Sequence, residues 1–377
     1  MQIRKIDLSN KRDVRKFVMF PFQLYRRGEH WVPPLISNEM IKLNPAKHPF
    51  YQHSTCDFYL VEDGRGKVLG RIGLQHNTRH NQQLGLNNGI LSFFEVVEDQ
   101  EAANLLFETA EEWGREKGFD QLEGPKGLLN TESGGVLIEG FEHDPAMNVP
   151  YNFPYYQKYF EDAGFTKKRD SLSGYLDATQ VEVPERVRRI AERVMEKRGY
   201  RIKRFETKDE MRAMVKEAQV VLNESFQDGV SFVEMTDEEF AMAAEDLILI
   251  ADPKLIKVVM KDDKIIGYLF AYHDLREGLK RARGRLFPFG WWYLMQDAKK
   301  TEWININGLG VLPEYQGMGA NAIMYMALGD TVKGEYQQFK HADTVFIGEE
   351  NFKSFSDNVT LGVSWYKRHR MYAKDLK

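Results

Sequence analysis

An internal echo, spaced by nearly 200 residues, constrains this chain more than any other feature. Residues 58–76 read Phe-Tyr-Leu-Val-Glu-Asp-Gly-Arg-Gly-Lys-Val-Leu-Gly-Arg-Ile-Gly-Leu-Gln-His, an apolar run, a polar turn and a second apolar run. Residues 256–273 repeat the plan: Ile-Lys-Val-Val-Met, a Lys261-Asp-Asp-Lys turn, then Ile265-Ile-Gly-Tyr-Leu-Phe-Ala-Tyr-His. Both stretches predict strand, turn, strand. The glycines inside the second strands, Gly70 and Gly267, lie 197 positions apart. A second landmark closes each half: Ala163-Gly-Phe before Tyr175, and Leu361-Gly-Val before Tyr372. Gly164 and Gly362 lie 198 positions apart. Two landmarks with nearly the same offset predict a duplicated unit. A length of 377 residues suits two domains, each of about 100–200 residues.

The first half predicts a strand at 2–7, a helix near 11–26, the hairpin of 56–62 and 67–76, and an apolar strand from Ile90 to Val96. A helix over 101–117 follows, with Ala102, Leu105, Leu106, Thr109 and Trp113 on one face. A short strand near 119–124, a helix near 154–163 and a strand through 166–176 complete it. The second half repeats this order from about residue 200. Between them, 177–199 is expected to be a linker helix, with Pro184 in its first turn. The expected domains are therefore 1–176 and 200–377. Both are α/β, with a central mixed sheet flanked by helices. Each half has one extra stretch, 125–150 in the first and 275–300 in the second. Insertions in matched units often carry recognition.

The bulk numbers exclude several roles. The net charge of −4 gives no support to general nucleic-acid binding or stable membrane association. Cys56 is the only cysteine, so an intramolecular disulfide and a cysteine-rich zinc site are excluded. The N-terminus lacks the apolar core of a signal peptide. No run approaches the roughly 18–20 apolar residues of a membrane span. A cytoplasmic protein is expected, and nothing in the sequence excludes a homodimer.

The sharpest local signal is Ile304-Asn-Ile-Asn-Gly-Leu-Gly-Val-Leu-Pro-Glu-Tyr-Gln316-Gly-Met-Gly319-Ala-Asn321, followed by Ala322-Ile-Met-Tyr-Met-Ala. It predicts a strand, a glycine-containing loop and a helix. Such a loop presents successive backbone N–H groups at a helix N-terminus, where the helix dipole adds partial positive charge. Glycine allows a phosphate to approach the backbone closely. Gly317-x-Gly319-x-x-Ala322 also imitates a dinucleotide-binding fingerprint. In that fingerprint, however, the first glycine follows the strand directly, and here Pro313-Glu-Tyr-Gln lengthens the connection.

This stretch resembles the coenzyme A (CoA)-binding motif of the GCN5-related N-acetyltransferases. The family pattern is a strand ending Val-x-Pro-x-Tyr/Trp, then Arg/Gln-x-x-Gly-x-Gly/Ala, then a helix. Gln316 and Gly319 match its first and fourth positions, and Asn321 stands where Gly or Ala is usual. The resemblance covers about 200–377. It implies a splayed fourth strand whose backbone at Leu309, Gly310 and Val311 pairs with the pantetheine arm. It also implies a pyrophosphate loop of Gln316, Gly317, Met318, Gly319, Ala320 and Asn321. The first half resembles the family in its order of elements. At the loop position it has Phe94-Glu-Val-Val-Glu-Asp-Gln-Glu, without glycine and rich in acid, as expected of a degenerate repeat. The chain also resembles a set of tandem-repeat proteins of this superfamily, through Trp31-Val-Pro-Pro-Leu, His48-Pro-Phe and Pro150-Tyr-Asn-Phe-Pro-Tyr-Tyr. The implied activity is N-acyl transfer from acetyl-CoA or another acyl-CoA to a small amine or amino-acid-like acceptor, without a metal. Alternatives are a catalytically silent acyl-CoA-binding or scaffolding protein, and an aminoacyl transferase of the tandem peptidoglycan type.

The expected catalytic pair is missing. Trp303, Asn305 and Asn307 share one face of the fourth strand, and none is a base. Counting four residues back from Gly362 and Gly164, where the family carries a tyrosine acid, gives Asn358 and Phe160. Asn307 and Asn351 remain as candidates to order water or acceptor. Asn130, Glu132 and Ser133, in the polar loop of the first insertion, are the acceptor-binding candidates. Cys56 reads as a buried structural thiol, and His48 with His53 lacks a third metal ligand. The run Lys280-Arg-Ala-Arg-Gly-Arg-Leu-Phe-Pro-Phe-Gly-Trp-Trp-Tyr-Leu-Met joins basic to aromatic residues. It is expected to cover the sheet, with its arginines solvated. The other reading is contact with a long acyl chain or a membrane surface.

Overall fold

The computed structural model describes residues 1–180, 182–227, 229 and 232–377. Val181, in the joining segment, and Asp228, Val230 and Ser231 lie outside the described residues. The first half runs β1 (Gln2–Lys5), α1 (Lys11–Leu24), α2 (Ile36–Lys42), β2 (Thr55–Glu62), β3 (Val68–His76), α3 (Thr78–Leu84), β4 (Asn88–Val96), α4 (Gln100–Glu116), β5 (Gln121–Gly124), β6 (Val136–Glu139), α5 (Tyr155–Asp162) and β7 (Thr166–Asp177). The second runs α6 (Glu185–Arg198), β8 (Tyr200–Lys203), α7 (Lys208–Ala213), α8 (Val215–Phe226), α9 (Asp237–Ile250), β9 (Lys257–Lys261), β10 (Lys264–His273), α10 (Arg276–Ala282), α11 (Gly290–Lys300), β11 (Trp303–Val311), α12 (Ala320–Glu335), β12 (His341–Gly348), α13 (Phe352–Thr360) and β13 (Ser364–Asp375).

Local chemistry explains where these elements turn and start. Between β2 and β3, the Asp63 carboxylate accepts from the backbone N–H of Arg65 and Lys67 at 2.8 and 2.9 Å. Helix α4 starts at Asp99, whose side chain accepts from Ala102 N. Helix α9 opens on a reciprocal cap between Thr236 and Glu239. Such caps satisfy N–H groups that a helix start otherwise leaves open.

The duplication is visible residue by residue. Gly70 in β3 stands opposite Val96 in β4, and Gly267 in β10 stands opposite Val311 in β11. Both fourth strands carry a bulge. From Arg71 to Gly73 the partner moves from Glu95 to Ser92, and from Leu269 to Ala271 it moves from Leu309 to Ile306. The extra residue takes a left-handed backbone in each case, Phe93 at φ 51° and Gly308 at φ 97°.

The chain forms two compact units whose limits differ from the expected 1–176 and 200–377. One comprises Met1–Leu172, Arg276–Asp297 and Tyr366–Lys377, and the other Ser173–Leu275 and Ala298–Trp365. In the first, the strand order is β1-β2-β3-β4-β5-β13. The end of β13 runs antiparallel to β5, with Tyr372 opposite Gly124, and to β6, with Arg370 opposite Val136. In the second, the order is β8-β9-β10-β11-β12-β7. Each half thus takes its sixth strand from the other half's last segment. A repeat makes this exchange easy, because equivalent sheet edges offer equivalent backbone ladders. The expected linker helix, α6, is part of the second unit's core, and the insertion bearing α10 and α11 belongs to the first unit.

Each unit has three layers. In the first, Leu106, Phe107 and Trp113 of α4 and Phe160 of α5 bury one face of the sheet against Leu74 and Leu91. Phe17, Val18 and Phe20 of α1 pack on Phe58 and Leu60 on the other face. In the second, Ala191 of α6 and Ile323 and Met324 of α12 pack on Ile266, Leu269 and Ile304. Met211, Val221 and Ile248 cover the opposite face with Tyr268. Among the described residues, no helix is long and apolar enough to cross a membrane.

Candidate functional site

In the second unit, β11 and β12 run parallel and pair from Trp303 opposite His341 to Ile306 opposite Thr344. No described residue of β12 pairs with β11 beyond that point, although both strands continue. The bulge at Asn307 and Gly308 sits where they part, and both residues are exposed. A parted parallel pair leaves one backbone edge of β11 open to an extended ligand bearing amides. Gly310 lies deeper in the strand. A Cβ there would stand 2.8 Å from Tyr268 Cε1 and 3.0 Å from Ser225 Oγ, so the position has no room for a side chain.

From Val311 the chain turns through Pro313–Tyr315 into the loop that opens α12. Gly317 and Gly319 both have left-handed backbones, at φ 70° and 92°. They do different work. A Cβ on Gly317 would meet nothing within 4 Å, whereas one on Gly319 would stand 2.8 Å from Val194 Cγ2 of α6. Gly317 therefore borders open space and Gly319 permits helix packing. Gly319 is the N-cap of α12, no side chain caps the helix, and its first turn carries no acid. Uncapped N–H groups and the positive end of the helix dipole are features that suit an anion.

Residues 309–311 and 316–321 thus form one continuous rim from the parted strands to the helix start. The side chains of Gln316 and Asn321 turn back to the protein. Gln316 Nε2 donates to Val311 O at 3.1 Å, and its Oε1 accepts from Lys353 Nζ at 3.0 Å. Asn321 Nδ2 donates to Asp357 Oδ2 at 2.7 Å, tying α12 to α13. Ala320 is buried, and Met318 Sδ lies 3.0 Å from Arg198 Nη1. Arg198 and Lys353 place two exposed cations beside the loop. Sequence reasoning missed both, because neither lies in the motif and only folding brings them there. Gln316→Ala is expected to weaken CoA binding only a few-fold, since it removes two hydrogen bonds that tether the loop while the backbone donors stay; calorimetric titration checks it.

The two candidate asparagines have ordinary partners. Asn351 caps α13 by accepting from Ser354 N at 3.1 Å. Asn307 Nδ2 donates to the Tyr272 hydroxyl at 3.3 Å. Tyr272 opens onto a feature the sequence did not show. Its register partner on β11 is Asn305, whose partner on β12 is Asp343. Paired residues share a sheet face, so Tyr272, Asn305 and Asp343 make a buried polar row that ends beside exposed Asn307. Burial pushes the Tyr272 hydroxyl up to about 12, with the Asn307 bond opposing and the Asp274 and Asp343 charges adding. It stays protonated at neutral pH. The row joins residues far apart in sequence, so no local motif announces it.

In the first unit the same place is filled. Val96 N donates to the Tyr156 hydroxyl at 2.9 Å, and the Tyr155 hydroxyl donates to Val96 O at 2.8 Å. By the offset from Gly164 to Gly362, Lys353 and Ser354 stand at these tyrosine positions in the second half. The expectation that Glu95 lies in the loop is corrected. It lies in β4, where Tyr25 and Tyr156 donate to its Oε2 at 2.6 and 2.7 Å. At the start of α4, Asp99 occupies the Ala102 N–H and Glu101 adds a further acid. Two tyrosines and a capped, acidic helix start thus stand where the second unit has a gap and an open one.

Of the acceptor candidates in the first insertion, the Glu132 carboxylate accepts from Leu128 N and Leu129 N at 2.6 and 3.1 Å and pairs with Lys42 at 2.6 Å. It holds its own loop together. Asn130 and Ser133, on the same loop, are half-buried. Cys56 is buried, and burial pushes its thiol well up, away from the thiolate. Among the described residues no group of His, Cys, Asp or Glu is arranged to hold a metal.

Comparisons with known proteins bear on this geometry. No family model matches the chain. It is 26% identical over 374 residues to protein YghO of Escherichia coli K12, covering 97% of this chain and 94% of that protein. It is also 26% identical over 388 residues to a bacterial ceramide synthase of Caulobacter vibrioides, covering 98% and 97%. A tandem GCN5-related N-acetyltransferase-type protein from the clavulanic acid biosynthesis pathway superposes over 100% of this chain and 98% of its own, with a TM-score of 0.57 at 12% identity. The fold is that of the GCN5-related N-acetyltransferases, mixed α/β and in tandem.

Proposed function

We propose that the chain is an N-acyltransferase that takes an acyl-CoA in its second unit and passes the acyl group to a primary amine. The observation that carries this reading is the parting of β11 and β12 at Gly308, directly before an uncapped helix start bordered by Gly317. The parted edge suits the amide-bearing arm, and the helix start with Arg198 and Lys353 suits the pyrophosphate.

In the transfer, the amine nitrogen attacks the thioester carbonyl, a C–N bond forms and the C–S bond breaks. One proton passes from nitrogen to the departing sulfur. Asn307 stands at the parting, in contact with Tyr272. Tyr272 accepts from Asn307, and Asp343 is buried at the far end of the row. That arrangement can orient the neutral amine, or a water beside it, at the parting. Positioning supplies much of the rest.

For the acceptor, the full-length likeness to a protein named ceramide synthase supports a long-chain amino alcohol of the sphingoid type, with a fatty acyl-CoA as donor. Thiol release across acetyl- to long-chain acyl-CoAs, against short amines, amino acids and long-chain amino alcohols, tests this. Highest turnover with the long-chain pair is expected. Highest turnover with short amines would restore the small-acceptor reading, and tight CoA binding without turnover would mark a silent binder. The filled place around Val96 predicts one CoA per chain. Calorimetric titration of CoA is expected to saturate at one equivalent, and two equivalents would overturn the account of the first unit.

A further inference from the structure

The insertion between β10 and β11 departs from the expectation that its aromatic run covers the sheet. Its base is firmly held within the first unit. Lys280 Nζ donates to Asp144 Oδ2 at 2.5 Å, and Arg276 Nη1 to Asp144 O at 3.2 Å. Gly284 O accepts from Ile36 N at 2.8 Å, and Asp297 accepts from Gly278 N at 2.6 Å. Beyond that base the apolar groups face outward. Phe287 is 80% exposed, Phe289 65%, and Trp291, Trp292 and Met295 between 45% and 47%. The last three share one stripe of α11, because positions i, i+1 and i+4 fall on one side of a helix. So dense a set of exposed rings on an anchored segment is unusual for a single soluble surface.

The chemistry around the rings selects the partner. Arg281, Arg283 and Arg285 are exposed beside them, and Arg281 lies over the Tyr293 ring at 4.6 Å. The exposed charges of 276–297 are these three arginines and Glu277. The Trp291 indole N–H is already bonded to Pro288 O at 2.9 Å, so its ring can leave water without stranding a donor. Tryptophan, phenylalanine and arginine together suit the boundary between headgroups and acyl chains, where rings enter and guanidinium groups meet phosphate. A second copy of the same patch fits less well, since a two-fold contact would bring like arginines together.

We propose that this aromatic and arginine patch docks the protein on an anionic lipid surface. The net charge of −4 does not oppose it, because a charge more than about 10 Å away is largely screened and the local field decides. The inference does not rest on the acyltransfer reading. A lipid-derived amine would, however, be met at such a surface.

The test uses the full chain without CoA, so failure here and failure of acyl transfer are separable. Cosedimentation is measured with phosphatidylcholine vesicles and with phosphatidylcholine mixed with phosphatidylglycerol. Binding to the mixed vesicles, relieved by salt and accompanied by a blue shift of tryptophan emission, is expected. Arg283→Glu with Arg285→Glu should weaken it by on the order of 100-fold or more. Trp291→Ser with Trp292→Ser should abolish the emission shift. Circular dichroism and CoA affinity should stay unchanged in both variants, since all four side chains are exposed. Binding that is absent, or equal in wild type and variants, overturns the proposal. So does a lipid-free dimer that the tryptophan variant dissolves, which would assign the patch to a second copy.

Discussion

Gly317→Asp is expected to lower CoA affinity by on the order of 1,000-fold, while Gly317→Asn lowers it by less than about tenfold. The two variants isolate charge from shape. Gly317 holds φ 70°, and asparagine and aspartate are the side chains that best tolerate that region. A Cβ there meets nothing within 4 Å, so neither residue clashes with the protein. Their size is the same, and only aspartate sets a negative charge where a pyrophosphate would approach. One unit charge against another at about 4 Å and an effective dielectric of about 20 is worth about 4 kcal/mol. Gly319 is the poorer place for this test. Its missing side chain makes room for Val194, so a substitution would disturb the packing of α6 on α12 as well as the ligand. Calorimetry on the pair decides the matter. Equal affinities would mean that no phosphate passes Gly317 and that the loop has another purpose.

Asp343→Asn is expected to lower kcat by about 100-fold or more while leaving CoA affinity within about twofold of wild type. Asparagine keeps the size of Asp343 and removes its charge, so the row Tyr272–Asn305–Asp343 stays filled. In the proposed mechanism Asp343 would act as a positioning residue, through Asn305 and Tyr272. A merely structural role would lower stability and leave the pH–rate profile in place. The proposed role lowers kcat with normal melting, and Tyr272→Phe should reproduce part of the loss. Unchanged kcat in Asp343→Asn with normal melting would remove the row from the mechanism.

Under the proposed lipid docking, net charge is a poor guide to one surface. A value of −4 counts every residue alike, whereas a partner meets only what lies within about a Debye length. Arg281, Arg283 and Arg285 stand out only once Phe287, Phe289 and the two tryptophans are known to face solvent beside them. The same run of residues, buried, would have meant a covered sheet.

The sequence by itself determined the duplication, the order of the main strands with helices α1, α4 and α5, and the loop that opens α12. Those features are local or periodic: a glycine at a fixed place in a hairpin, apolar spacing on a helix face, and two glycines where the backbone must be left-handed. It also marked the first half's helix start as acidic and without glycine, although it gave Glu95 the wrong place. Tertiary structure alone decided the rest. It exchanged the last strands, because backbone ladders do not record which half a strand came from. It turned Gln316 and Asn321 inward and Arg198 and Lys353 toward the loop, because those contacts join separate helices. It closed the first unit with Tyr155 and Tyr156 at Val96, and it aligned Tyr272, Asn305 and Asp343 across three strands. Register between distant strands is fixed by packing of the whole sheet, and no short stretch of the chain carries that information.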